Sequence, residues 1–503
     1  MFIREKRNKS GSISVQVLQK TDGKNELLKT IGCSSDPDEV ISLKQKARWW
    51  ISKQSGMQEL DFTYGRSEAE SLLNNIEGLH LAGIELVLGR LFDSIGFNQI
   101  PDTLFRQLVL SRLSYPVSKL KTTDYLRRYY HQFIDVHQVY RYLDKLHTTQ
   151  KEQVQQISYA HTLKVLSGDI SIVFYDVTTV YFEIDDEDDL RKTGFSKEGR
   201  HHNPQIILGL LVSSGGYPLA YEIFDGKKFE GHTMLPVLEH FKKKYKLDQL
   251  VVVADSGLIS SSNKTLLEES GYEYILGARI KNESFRIKEE ILALSIADGE
   301  LKLINKADGK RLIIGYSTSR AKKDKANRER GLAKLEKKIQ SGRLTKSSIN
   351  NRGYNKYLKL EGEITVSIDE DKFRQDDKWD GLKGYETNSK LTKEEIVANY
   401  NHLWRIEKAF RVAKHDLKIR PVFHRKKKRI EAHICITFAA YMLYKELERV
   451  LKEKKSSLSP EKAIEIAETI FSLTIKIPAT GELISKTIIQ SQEQKMLADL
   501  FDF

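Results

Sequence analysis

Three carboxylates stand out by where they fall. Asp176 lies inside an apolar, β-type run, SIVFYDVTTVYFEI, where the neighbouring side chains favour burial and a carboxylate must either project into a site or be paired. Asp255 closes a second apolar run, LVVVA, and is followed by Ser256-Gly257, which puts it at the carboxyl end of a strand, where open α/β sheets place their ligands. Glu407 belongs to a helical pattern, NYNHLWRIEKAFRVAK. Two strand-borne aspartates and one helix-borne glutamate can converge on a pair of Mg²⁺ ions. Two hard cations about 3.5–4 Å apart need shared carboxylate oxygens, and the pair activates a water or hydroxyl and stabilises the leaving oxygen of a phosphodiester. Histidine-rich or thiolate clusters would suit zinc instead, and the chain has neither, with only Cys33 and Cys435 far apart. Taken singly, each acid is more often a cap or an ion-pair partner, and among 69 acids some end strands by chance. The combination is what points to chemistry.

The elements that must hold these residues follow from periodicity. Residues 11–32 alternate about the turn TDGKN and predict a β-hairpin, followed by a helical tract, Asp38 to Gln54. From Ser67 to Leu166 the pattern is helical throughout. Within it, Ser118–Tyr129 and Val136–Leu146, joined by Tyr130–Asp135, form a helix-turn-helix-like pair with Arg127, Arg128, His137 and Arg141 available to phosphates; an ordinary helical bundle is the alternative. At Ile170 the texture turns to strands, with a meander about Gly215-Gly216, then helix, strand, helix and strand to Gly277. Residues 281–389 read as a β-rich segment with one basic helix that interrupts the domain, because a helical pattern resumes at Thr392 and continues past Tyr444. The divisions expected are therefore 1–66 (hairpin plus helix), 67–167 (helical, DNA-binding), 168–280 (first part of an α/β core), 281–389 (insertion), 390–450 (second part of the core) and 451–503 (C-terminal region).

With 82 Lys+Arg against 69 Asp+Glu the 503-residue chain carries a formal charge of +13, which favours a polyanionic partner. The charge is concentrated: residues 321–355 hold 11 basic residues against 3 acids, and KIRPVFHRKKKR, residues 418–429, holds seven and none. The acidic run EIDDEDD, residues 183–189, reads as a solvated loop, and His201-His202, without a third ligand at metal spacing, as a polar one. The opening MFIREKRNKSGS lacks the apolar core of a secretory signal, and the longest apolar stretch, Ala432–Tyr444, is too short to span a bilayer, so a cytoplasmic, nucleoid-associated protein without a membrane partner is expected.

FYDVTT, VVVADSG and the Tyr400–Lys414 segment together resemble the DDE transposases of bacterial insertion sequences, in particular the cut-and-paste branch whose third acid belongs to a Tyr, Arg, Glu, Lys signature. Tyr400, Glu407 and Lys414 keep that signature's spacing; its Arg position is Leu403 here, with Arg405 and Arg411 nearby. GRHHNPQIILGLL, FEGHTM and Asp380-Gly381 are similar too, so the resemblance spans about residues 168–445. It implies an α/β fold with an RNase H-like catalytic domain and a β-rich insertion between the second and third acids, preceded by the helical, helix-turn-helix-like region. It also implies two Mg²⁺ or Mn²⁺ ions held by Asp176, Asp255 and Glu407. The backbone of double-stranded DNA would meet Tyr400, Arg405, Arg411, Lys414, Lys426 and Lys427, with Arg127, Arg128 and Arg141 on the helix pair. The partners implied are the element's terminal inverted repeats and target DNA in a bacterial or archaeal host. A homodimer would synapse two ends, with Ala463–Ile477 and Leu497–Phe503 as apolar contact surface. The rival functions are a stand-alone metal-dependent nuclease and a domesticated, non-catalytic DNA-binding protein.

Overall fold

The structure is a computed structural model that describes residues 1–21, 23–55, 70, 72–184, 186–195, 199, 202–247, 249–255, 261–341, 344, 349–350, 353–361, 365–420, 422–477 and 480–503. His201, Asp185, Ser256-Gly257 and the expected boundary near residue 66 lie outside the described residues. Two compact units are present, residues 1–79 with 473–486, and residues 80–472 with 487–503.

In the first unit the expected hairpin is a three-stranded antiparallel sheet: β1 (Phe2–Arg7), β2 (Ile13–Thr21) and β3 (Lys24–Ser34). The additional strand is the charged opening FIREKR, whose mostly exposed side chains carry no alternation to read. Helix α1 (Pro37–Ser55) lays Val40 and Ala47 on Val15 and Val17 of β2. Strand β4 (Ile76–Leu81) corrects the expectation of unbroken helix from Ser67. Its partner comes from the far end of the chain, a pairing that local periodicity cannot report.

The second unit opens with helices α2 (Arg90–Ile95), α3 (Thr103–Ser114), α4 (Lys119–Tyr130), α5 (Val136–Lys145) and α6 (Lys151–Val165). Ser118 caps α4, and Asp135 with Gln138 forms a capping box on α5, so the two short helices stop and start where their side chains satisfy the backbone. An eight-stranded sheet follows. Its strands in chain order are β5 (Ile172–Tyr181), β6 (Gln205–Ser213), β7 (Pro218–Asp225), β8 (Val251–Ala254), β9 (Glu273–Ala278), β10 (Leu301–Asn305), β11 (Arg311–Tyr316) and, beyond a small β12 (Leu358–Glu361) and β13 (Thr365–Ile368) pair, β14 (Leu382–Thr387). The spatial order is β10-β11-β14-β9-β8-β5-β6-β7, with β8 parallel to both β5 and β9 and every other neighbour antiparallel.

Apolar side chains cover both faces of this sheet. One face, through Val173, Tyr175, Val252 and Tyr274, meets helix α7 (Met234–Tyr245) and Leu267 of α8 (Ser261–Glu269). The other, through Phe174, Val180, Leu210 and Val253, belongs to the larger core containing α12 (Lys393–Asn401), α13 (Trp404–Arg411) and α14 (Lys427–Glu453), whose labels follow α9 (Phe285–Ala293), α10 (Thr318–Gln340) and α11 (Glu370–Asp377). The sequence reads residues 281–389 as a β-rich insertion between the two parts of the core. Three of their strands extend the core sheet from β9 outward, and buried Glu386 of β14 accepts hydrogen bonds from Lys264 of α8 at 2.6 Å and Lys306 at 2.7 Å. The helical run expected past Thr392 is also broken, by a widened helical turn at Val412–Asp416 and non-helical chain at residues 417–420 and 422–426.

Helix α14, 27 residues long, is the central helix of this core, with every residue from Ala432 to Tyr444 buried; among the described residues no helix is long and apolar enough to cross a membrane. Glu446 on it is buried and accepts from His161 Nε2 of α6 at 3.0 Å, Tyr217 Oη at 3.1 Å and the Arg449 guanidinium at 2.6 Å. The chain closes with α15 (Pro460–Ala467), β15 (Phe471–Lys476), β16 (Leu483–Ile488) and α16 (Gln492–Phe501); β15 lies between β16 and β4. Ala463, Ile464, Ile466, Leu497 and Phe501, expected as dimer contacts, are buried in the chain's own core.

Burial pushes the Glu446 carboxyl up, but the hydrogen bonds from His161 and Arg449 outweigh it and hold it at about 2, against an ordinary 4.5. This depressed value contributes stability that is present above about pH 4.5 and lost as pH falls toward 2. Glu446→Ala, which leaves buried donors uncompensated, should cost roughly 3–5 kcal/mol in urea unfolding at neutral pH and flatten the acid limb of stability against pH. A loss under 1 kcal/mol would show that the network does not brace the core.

Candidate functional site

Strands β5 and β8 run parallel with a fixed register: Ile172 faces Val251, Val173 faces Val252 and Phe174 faces Val253. The offset is 251 − 172 = 79, and 255 − 176 is also 79, so the same register carried two residues further sets Asp176 level with Asp255. Side chains alternate along a strand. Phe174 and Val253 lie in the helix-side core and Val173, Val252 and Ala254 in the opposite one, so parity directs both aspartates to the face covered by α12 and α13. Asp176 is half-buried and Asp255 exposed, at the sheet's open end.

From the helices, Tyr400 at the end of α12 donates a hydrogen bond from Oη to Asp255 Oδ1 at 3.2 Å. Thr392 and Glu395 form the capping box that starts α12, and buried Ile396 and Tyr400 fix its rotation. Burial raises the Tyr400 hydroxyl first, then the charge of Asp255, with a smaller push from Glu407, so the phenol stays protonated and donates. Glu407 therefore lies within electrostatic reach of the same hydroxyl, exposed on α13, and its side chain has no hydrogen bond or ion pair among the described residues. The ring of His402 stands 6.5 Å from that of Phe174 and seats this helical segment on β5.

The donor set is all oxygen and suits a hard divalent cation. The two aspartates are level on adjacent strands and the glutamate sits on the helical segment above them. Among the described residues, however, no three His, Cys, Asp or Glu side chains form a ready metal-holding group, so the three acids share one face without being gathered to ligand spacing.

Lys383 is the residue that sequence reasoning missed. It comes from β14, on the same side of that strand as Tyr385, and its Nζ lies 4.5 Å from the centre of the Tyr400 ring and 5.1 Å from that of Tyr385. Burial lowers its pKa, nearby Arg320 lowers it further, and Asp255 acts the other way. The alternation in LKGYET was readable, but nothing local indicated that its strand would dock beside β9. A cation over two tyrosines next to Asp255 can orient a phosphodiester.

The other expected contacts are scattered. Leu403, at the signature's Arg position, is buried in the core and unable to reach solvent. Arg405 packs against Trp404, Arg411 is exposed, and Lys414 falls in the widened turn that ends α13. Lys426 and Lys427 are exposed at the start of α14. Arg127 and Arg128 both pair with Asp124, at 2.5 and 2.7 Å, and Arg141 is exposed on α5. Arg429, from the same basic run, is held by Asp144 through two hydrogen bonds at 2.9 and 2.8 Å.

Residues 167–443 match the family model described as Transposase DDE domain. Among solved structures, the chain is similar to a piggyBac transposase synaptic complex with hairpin DNA, at 9% identity and TM-score 0.37 over 76% of each chain. It is also similar to a Mos1 mariner paired end complex with Mn, at 10% identity and TM-score 0.15 over 31% of this chain and 54% of that one. A Mos1 strand transfer complex gives 11% identity and TM-score 0.16 over 34% and 57%. No curated protein matches the chain.

The Tyr400 contact makes a specific demand on the site. Tyr400→Phe keeps the ring packing and removes the donor to Asp255, so Mn²⁺ affinity, measured by calorimetry or electron paramagnetic resonance, should fall roughly tenfold or more with little change in melting temperature. Unchanged affinity would remove Tyr400 as the group that orients Asp255.

Proposed function

The chain belongs to the DDE transposase family, and on that premise we propose that it is the transposase of an insertion sequence, which binds the element's ends, cleaves DNA by divalent-metal-dependent hydrolysis and joins the 3′-hydroxyl ends to target DNA. The observation that carries this reading is the β5–β8 register, whose continuation by two residues would set Asp176 level with Asp255, the acid to which Tyr400 donates. An RNase H-like core is supported by the strand order β7-β6-β5-β8-β9, three antiparallel strands followed by two parallel to the first.

Asp176, Asp255 and Glu407 would hold two Mg²⁺ or Mn²⁺ ions. When bound, such ions activate a water or 3′-hydroxyl and neutralise charge on the phosphate under attack. Tyr400 keeps Asp255 oriented, and Lys383 offers a fixed positive charge to a non-bridging oxygen of the scissile phosphate. Arg405, Arg411 and Lys414, on the same helical segment, would meet the DNA backbone. Lys426 and Lys427 sit at a helix N-terminus, where cations are electrostatically unfavourable, and a DNA phosphate bound there would offset that cost. Arg127, Arg128 and Arg141 of the α4–α5 pair would contact the terminal repeats. Two such protomers, each holding one end, would form the synaptic homodimer, and its place of work would be the nucleoid of a bacterial or archaeal cell.

Asp176→Asn, Asp255→Asn and Glu407→Gln should each reduce cleavage and joining of end DNA in Mg²⁺ by at least roughly a thousandfold while leaving binding to that DNA within a few-fold, since each removes a metal ligand and no phosphate contact. Near wild-type cleavage by any one of them would withdraw its assignment. Cleavage without joining by the wild type would make the protein a nuclease, and binding without cleavage a domesticated DNA-binding protein. The logarithm of the DNA association constant should also fall steeply with log salt, by about 0.9 per phosphate contacted. A flat plot would mean that the basic runs do not meet DNA.

A further inference from the structure

Away from the acids, a cavity of about 540 Å³ opens between the end of α3, the start of α4 and the loop that leads into α14. Two basic side chains line it from within: Arg112, 4% exposed, and Lys119, 5% exposed. Among the described residues neither has a carboxylate partner, and the buried Arg112 Nε has no hydrogen-bond partner. Its Nη2 meets His433 Nδ1, at 3.5 Å. His433 donates from Nε2 to the Ile419 carbonyl at 3.0 Å, which leaves Nδ1 as an acceptor and the ring neutral. His424, on the same wall, is likewise neutral: burial first, then Lys119 and Arg112, lower it to about 3. Burial first, then Arg112, push the Lys119 ammonium well below its usual pKa, so the walls set the desolvated Arg112 guanidinium beside a lysine that an entering anion would recharge, and among the described residues no acidic side chain lines the cavity.

The rest of the lining says which anion. The first turn of α4, from Ser118 through Lys121, borders the cavity, which sets a helix N-terminus beside an arginine able to form paired hydrogen bonds and a lysine. This combination recognises a phosphate group. At the mouth, Phe423 is 67% exposed and Leu120 63%, between Lys418 and Lys121, which is an apolar and cationic rim of the kind that takes a nucleobase and the neighbouring phosphates. Arg420, on the same lining, also lies over the Tyr181 ring at 5.4 Å. Tyr181 is five residues beyond Asp176 on β5, about 17 Å at ~3.3 Å per residue.

We propose that this cavity is a phosphate receptor that clamps one backbone phosphate of the bound DNA strand, with Arg112 and Lys119 as its ligating groups. The receptor stands on the cavity alone; the assignment of its phosphate to DNA rests on the transposase reading.

The test uses the full-length protein in two arms. In the first, inorganic phosphate is titrated against chloride at constant ionic strength and the melting temperature is followed. The wild type should be stabilised in a saturable way. Lys119→Met and Arg112→Met, which replace a buried basic side chain at similar volume, should melt at or above the wild type in chloride and lose the phosphate response, whereas Lys119→Arg should retain it. A wild type that ignores phosphate, or methionine variants that respond as it does, would overturn the receptor. In the second arm the same variants are titrated with duplex DNA carrying the element's end. Both methionine variants should bind roughly tenfold or more weakly, with the salt slope shallower by about one. Lost phosphate response with unchanged DNA affinity would make the cavity a site for a free anion and overturn the DNA assignment. A wild type that binds no DNA would sink the transposase reading while the first arm still decides the receptor.

Discussion

The parallel hydrogen-bond ladder between β5 and β8 is the constraint on which the candidate site depends. Its register, continued by two residues, brings Asp176 level with Asp255, the acid that Tyr400 and Lys383 address. A slip of one residue would turn Asp176 to the α7 face, away from Tyr400, and exchange a carboxylate for an apolar side chain in the opposite core. The ladder is itself held by what covers it. Both strands are buried on both faces, as parallel strands must be, by α7 and α8 on one side and by α12, α13 and α14 on the other.

Burial on both faces explains how the chain spends its polar groups. The core admits a charge only where several partners converge: Glu446 among His161, Tyr217 and Arg449, and Glu386 between Lys264 and Lys306. These two clusters link parts of the chain that are far apart in sequence, α6 and the residue before β7 to α14 in the first case, α8 and the chain after β10 to β14 in the second. They also set the cavity of Arg112 and Lys119 apart, since its two buried basic side chains have no carboxylate partner among the described residues. The surface is arranged differently. Exposed arginines such as Arg127 and Arg128 are neutralised within their own helix, whereas Lys426 and Lys427 are placed where the helix dipole opposes them.

Sequence alone determined the local elements and the chemistry they carry. The apolar runs around Asp176 and Asp255 had to be strands, Tyr400 and Glu407 had to be helical, and three carboxylates without histidine or thiolate clusters suited a hard cation, because periodicity and donor type are properties of neighbouring residues. What it left undecided was every pairing across distance. That FIREKR adds a strand, that IEGLHL pairs with a strand from the end of the chain, that β14 extends the core sheet and brings Lys383 over Tyr400, and that Arg112 and Lys119 share one cavity all depend on backbone partners or side-chain neighbours tens to hundreds of residues away. Hydrogen-bond ladders and burial are satisfied only when those segments meet, so their energies do not exist at the level of the local pattern and are settled by the tertiary structure.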